Sequence, residues 1–147
     1  MTCMERQRHL NLLLVEDDEV DVMNVQRALR KNGIEHSLHI AHNGLEALEM
    51  LRQGDLGDPK GLAGHCLIWL DLNMPKMGGL EFLRILRSDL DLRRIPVVVL
   101  TTSAQEQDRV EAYNLNVAGY VVKPVTFSKF VDVVSKLNDY WMLSEMP

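Results

Sequence analysis

Short blocks of nearly unbroken apolar residues alternate along this chain with longer stretches whose apolar positions recur every three or four residues. The blocks are LNLLLV at 10–15, SLHIA at 37–41, CLIWLD at 66–71, VVVLT at 97–101 and GYVV at 119–122. Four of them lack the polar alternation of a half-solvated strand, so they read as parallel strands covered on both faces. Only SLHIA alternates, which predicts an edge strand. The intervening stretches read as helices with local start and stop signals. Gly33 follows VQRALRKN as a helix stop, and Asn43 with Glu46, like Ser103 with Glu106, has the spacing of a capping box. Repeated strand-then-helix units predict an α/β fold: a doubly wound, five-stranded parallel sheet with right-handed crossovers and helices on both faces. In the flavodoxin-like class of such sheets the strand order is 2-1-3-4-5.

The pattern fills residues 10–142 as one domain, leaving 1–9 as a flexible N-terminus and 143–147 as a C-terminal tail. The segment QGDLGDPKGLAGH at 53–65, with its four glycines and a proline, reads as a long surface loop. Composition narrows the function. The 147 residues are 46% hydrophobic and 25% charged, as in an ordinary globular protein. No apolar run approaches the ~20 residues of a bilayer span and the polar start has no signal-peptide core, so the expectation is a soluble, cytoplasmic protein with no membrane partner. A net charge of −5 with no basic block longer than Arg93-Arg94 argues against nucleic acid. Cys3 and Cys66 lack metal-ligand spacing and read as reduced thiols; the histidines read as surface or turn residues.

In open sheets of this type ligands bind at the carboxyl ends of the strands. There the chain carries Glu16, Asp17 and Asp18 after the first strand, Asp71 at the end of the third, Thr101 at the end of the fourth and Lys123 after the fifth. If strands 1 and 3 are neighbours, Glu16 and Asp17 face Asp71. Two unit charges about 4 Å apart at an effective dielectric near 20 repel by roughly 4 kcal/mol, so such a cluster calls for a divalent cation. Oxygen ligands with few dedicated side chains suit magnesium. Adding a lysine and a hydroxyl makes the set fit a phosphoryl group, with Asp71 as the nucleophile that accepts it. Asp18 reads as the start of the first helix.

The segments LLLVEDDE, LDLNMPKMGG, VVVLTTSA and GYVVKP, in this order, resemble the receiver domain of two-component response regulators over about residues 10–140. The resemblance implies that Asp71 is the phospho-acceptor, that Asp17 and Glu16 hold the metal, and that Asn73 gives it a backbone carbonyl. It further implies that Thr101 bonds the phosphoryl oxygen, that Lys123 pairs with the phosphate, that Tyr120 swings inward as Thr101 moves, and that the Lys123–Pro124 bond is cis. The chain departs from the family pattern at Glu16 and Gly78, where Asp is commoner, and at Thr102, where a smaller residue is frequent. The long loop, LTTS and the Trp141-containing last helix resemble the single-domain regulators that partner bacterial phytochrome histidine kinases.

The expected function is thus a stand-alone response regulator. It takes a phosphoryl group from a sensor histidine kinase in a magnesium-dependent reaction and passes the signal to a downstream protein or phosphotransfer partner. It would catalyse only its own phosphorylation and hydrolysis. Two rivals differ in class: a phosphorylation-independent adaptor on the same fold, and a small phosphatase, which would need an acid two residues after Asp71 where this chain has Asn73. On the last helix the apolar arc spans about half the circumference, wider than one buried face needs. Its surplus at Val133 and Tyr140 fits either packing on the fourth helix or a homodimer surface.

Overall fold

The computed structural model describes residues 10–54 and 65–143, with the backbone alone at His65. The expected N-terminal segment, most of the 53–65 loop and the end of the tail lie outside these residues. Five strands, β1 (Leu10–Val15), β2 (Ser37–Ala41), β3 (His65–Leu70), β4 (Val97–Thr101) and β5 (Gly119–Val122), alternate with α1 (Glu19–Lys31), α2 (Gly44–Arg52), α3 (Gly79–Ser88), α4 (Glu106–Asn114) and α5 (Phe127–Leu143). The sheet is parallel in the order β2-β1-β3-β4-β5.

Because side chains alternate across a strand, each apolar block feeds two cores. Leu13, Val15, Ile68, Leu70, Val97 and Val99 pack with α2, α3 and Ala112 of α4. The residues between them, Leu10, Leu12, Leu14, Leu67, Trp69, Val98 and Leu100, pack with α1 and α5. This two-sided burial is why the central strands carry no polar alternation. β5 is the other edge, as the expected strand order implies, although its apolar run does not alternate; Tyr120 and Val121 pack into opposite cores and Val122 is 45% exposed. An apolar composition marks a strand whose faces are covered, and says nothing about whether its outer edge is paired.

Two of the helix-boundary signals act as expected. Gly33 has φ +67°, its N–H donates to the Arg30 carbonyl at 3.0 Å and the Ile34 N–H donates to Leu29 at 2.9 Å, closing a Schellman motif. Asn43 caps α2 by accepting from the Glu46 N–H at 2.9 Å. At α4 the expectation fails. The N-cap is Gln105, without a side-chain bond, and the Ser103 hydroxyl instead donates to Asp108 at 2.6 Å. Gly78 caps α3, also without a side chain.

The far end of the sheet is tied together by Arg87. Its guanidinium donates to the carbonyls of Ile95 (2.7 Å), Leu115 (2.8 Å), Arg93 (2.9 Å) and Asn116 (3.1 Å), joining α3 to the segments that enter β4 and β5. Burial pulls this guanidinium below its ordinary pKa. Truncation would strand several carbonyls at once. Arg87→Met is expected to lower unfolding stability by about 2–3 kcal/mol, read as a shifted urea midpoint with unchanged slope. A loss below about 0.5 kcal/mol would mean that water replaces these bonds freely.

Candidate functional site

Parallel strands point the same way, so their carboxyl ends share one rim of the sheet. Main-chain bonds just beyond the strands fix the residues there. The Glu16 N–H donates to the Ala41 carbonyl at 2.9 Å, Asp71 to Val15 at 3.0 Å and Lys123 to Thr101 at 2.7 Å. Asp71 is thus the first residue after β3 rather than its last. The result is a buried polar cluster: Glu16 is 2% exposed, Asp71 6% and Thr101 0%. Carboxylate oxygens of Glu16, Asp17 and Asp71 lie within 4.8 Å of one another. The sequence expectation of one acidic group drawn from the first and third strands is met.

Within the cluster the oxygens have different duties. Glu16 accepts from Lys123 Nζ at 2.5 Å through Oε1 and from the Asp18 N–H at 3.2 Å through Oε2. Asp71 Oδ1 is buried with no hydrogen-bond partner. A buried carboxylate oxygen left unpaired is costly unless a cation or an incoming group uses it. Three converging oxygen donors fit a hard divalent cation such as magnesium, and the orphaned Asp71 oxygen is the ligand atom still free to meet it.

Lys123 supplies the positive charge. Burial pulls its pKa down, but the bond and charge of Glu16, then Asp21, then the charge of Asp71 outweigh that and raise it. Its second partner is Asp21 Oδ2 at 2.9 Å. The Glu16 carboxyl is pushed up to about 7, first by burial and further by the charge of Asp71, against the lowering bond to Lys123. Asp18 is the N-cap of α1, as expected, accepting from the N–H groups of Val20 and Asp21.

Thr101 and Tyr120 are linked through a residue between them in sequence. The Ser103 N–H donates to Thr101 Oγ1 at 3.3 Å, and the Tyr120 hydroxyl donates to the Ser103 carbonyl at 2.9 Å. Asn73 is exposed in the loop that follows Asp71. That loop is held by Gly79 N–H to the Leu72 carbonyl at 3.0 Å and Gly44 N–H to the Met77 carbonyl at 3.2 Å. A Cβ at Gly79 would lie 2.4 Å from the Asp71 carbonyl oxygen, so glycine is required for α3 to start this close to the end of β3. The Lys123–Pro124 bond is trans, like every peptide bond among the described residues, correcting the cis expectation. Trans is the lower-energy form by about 0.5–1 kcal/mol before proline.

Asp21, Ser103 and Asp108 are the participants that sequence reasoning missed. The signal for Asp21 was its place three residues after the Asp18 cap, in the helical turn that leaves the acidic strand end. Val133 and Tyr140 belong to neither core. On α5 the residues buried are Phe130, Val134 and Trp141, which pack on the α1 side of the sheet, while Tyr140 is 62% exposed. Among the described residues no helix is long and apolar enough to cross a membrane.

Residues 12–135 match the family model described as the response regulator receiver domain. Among curated proteins, the chain is 39% identical to the response regulator Rcp1 of Synechocystis sp. over 131 residues, covering 89% of this chain and 88% of that protein. Among solved structures it resembles the phosphorylated cyanobacterial phytochrome response regulator RcpA at 36% identity and a TM-score of 0.82, over 95% of this chain and 99% of that one. It also resembles the Mn(2+)-bound form of Rcp1 at 37% identity and a TM-score of 0.79, over 94% of this chain and 99% of that one.

The raised Glu16 carboxyl has a stability signature. The folded protein keeps this proton up to about pH 7 whereas the unfolded chain releases it near 4.5, so this group favours folding at low pH and loses that contribution as pH rises through 7. In metal-free buffer the melting temperature of the wild type, relative to Glu16→Gln, is expected to fall between pH 5 and 8. Parallel profiles across that window would show that Glu16 is already ionised at pH 5.

Proposed function

The chain belongs to the response regulator receiver domains, and on that footing we propose that it is a phosphorylation switch of a two-component system, accepting a phosphoryl group on Asp71. The observation that carries this reading is the buried group of Glu16, Asp17 and Asp71, in which Asp71 alone keeps a buried oxygen without a partner. In the proposed reaction an Asp71 oxygen attacks the phosphorus of a phosphohistidine on a sensor kinase. The new O–P bond forms as the P–N bond breaks, and the imidazole leaves with the electron pair. Lys123 neutralises charge on the phosphoryl oxygens, and Thr101 offers its hydroxyl hydrogen. A divalent cation held by Glu16, Asp17, Asp71 and the Asn73 carbonyl would supply the remaining charge neutralisation.

The sensor partner is proposed to be of the phytochrome type, supported by the likeness to RcpA. Signalling then runs through Thr101, Ser103 and Tyr120 to a downstream protein or phosphotransfer partner. The adaptor alternative, which needs no phosphorylation, gives no reason for keeping an orphaned acid, a paired lysine and a buried threonine together. The side of α5 that carries half-buried Val133 and exposed Tyr140 is proposed as a homodimer surface. Sedimentation should show self-association weakened by Tyr140→Glu, and a wild type that stays monomeric at high concentration with and without phosphorylation would refute it.

The function is tested by incubating the protein with acetyl phosphate and magnesium and weighing it intact. One added phosphoryl mass is expected in the wild type, and none in Asp71→Asn or without metal. No gain in the wild type, with a kinase donor also failing, would move the assignment to the adaptor.

A further inference from the structure

Lys123 is shared between two carboxylates of unequal character. Glu16, 2% exposed, stands at the end of β1 and has both oxygens engaged by hydrogen bonds. Asp21 stands in the first turn of α1, its side chain is 31% exposed, and its bond to the ammonium is the longer, at 2.9 Å against 2.5 Å. Solvent screens the Asp21 contact more, so it is the weaker and the more easily exchanged. Asp21 and Lys123 also line one cleft of about 130 Å³, with Asn24, Thr102, Thr126 and Phe127.

Resting on the reading of Asp71 as phospho-acceptor, we propose that Asp21 is a positioning residue that holds Lys123 on the α1 side of the site and so restrains phosphorylation. An ammonium has three N–H donors, and two are committed to carboxylates here. When a phosphoryl group arrives at Asp71, the Asp21 bond is the one that can be given up without uncovering a buried charge, because Asp21 keeps access to water. Glu16 has no such recourse. The Asp21 charge acts in the same direction a second time, since a carboxylate 2.9 Å from the ammonium offsets part of the positive charge that an anionic donor at Asp71 would meet. Removing that charge both frees a donor on Lys123 and lowers the repulsion.

The reaction that reads this is transfer from an acyl phosphate. An Asp71 oxygen bonds to phosphorus, the bond from phosphorus to the acyl oxygen breaks, and acetate departs with the electron pair. Full-length protein at saturating magnesium is followed by intact mass against time with acetyl phosphate, for the wild type, Asp21→Asn, Asp21→Ser and Asp21→Glu. Asp21→Asn and Asp21→Ser are expected to gain the phosphoryl mass about 3- to 10-fold faster, and Asp21→Glu, which restores the charge, close to the wild-type rate. A role confined to the helix N-terminus would lower the melting temperature of the neutral variants without accelerating them. Neutral variants that react at the wild-type rate or slower, while the wild type gains its phosphoryl group normally, overturn this inference alone. A wild type that gains none from acetyl phosphate or from a kinase donor overturns the phospho-acceptor reading beneath it. If Asp21→Asn does not fold, Asp21→Ser provides the same comparison with the wild type.

Discussion

The bond between Lys123 and Glu16 is the constraint around which the functional end of the sheet is arranged. β1 and β3 are neighbours, so their first residues beyond the sheet are neighbours too, and both are buried acids. Their mutual repulsion is the penalty for that topology. Lys123 arrives from β5, two strands away from β3, with its side chain only 9% exposed, and places one charge where it serves Glu16 directly and Asp71 through space. A single ammonium cannot balance Glu16, Asp17, Asp71 and Asp21 together. The site is left short of positive charge, a deficit that a divalent cation would relieve.

The scaffold tolerates this strain because its stability is generated elsewhere. Two apolar cores, one on each face of the sheet, are built from alternate residues of the same strands and lie below the polar rim. Arg87 closes the opposite end through four carbonyls. Changes at the rim therefore alter the electrostatics of a few side chains without disturbing the packing that fixes the strand order.

Most of the fold was legible because it depends on local pattern: uninterrupted apolar blocks for two-faced strands, Gly33 for a left-handed stop, Asn43 with Glu46 for a cap. The acids of the site were legible for a topological reason, since knowing that strands are parallel is enough to gather their carboxyl ends. What stayed hidden depends on contacts between side chains distant in sequence. The place of Asp21 in the first turn of α1 puts it beside the acidic strand end, but no local pattern gives its bond to a lysine 102 positions away. Arg87 looks like any helical arginine until its four carbonyls are seen. Ser103 had the spacing of a cap, yet α4 begins later, at Glu106 after Gln105, because the Ser103 main chain is already bound to Thr101 and Tyr120.

That last displacement bears on how a change at the rim would travel. Thr101 Oγ1 accepts a bond from the Ser103 N–H, and among the described residues its own hydrogen has no acceptor. If Thr101 turns that hydrogen toward an anion at Asp71, the geometry of the Ser103 bond must change with it. Ser103 carries the Tyr120 hydroxyl on its carbonyl and Asp108 of α4 on its side chain. α4 in turn buries only Ala112 and has no side-chain cap, which makes it the helix with least apolar packing to resist a shift. Elements that move in switching are drawn from such weakly anchored parts of a fold. Four hydrogen bonds converge on this one serine, the fourth from the Gln105 N–H at 3.4 Å, and together they join the buried threonine to Tyr120 and to a lightly held helix.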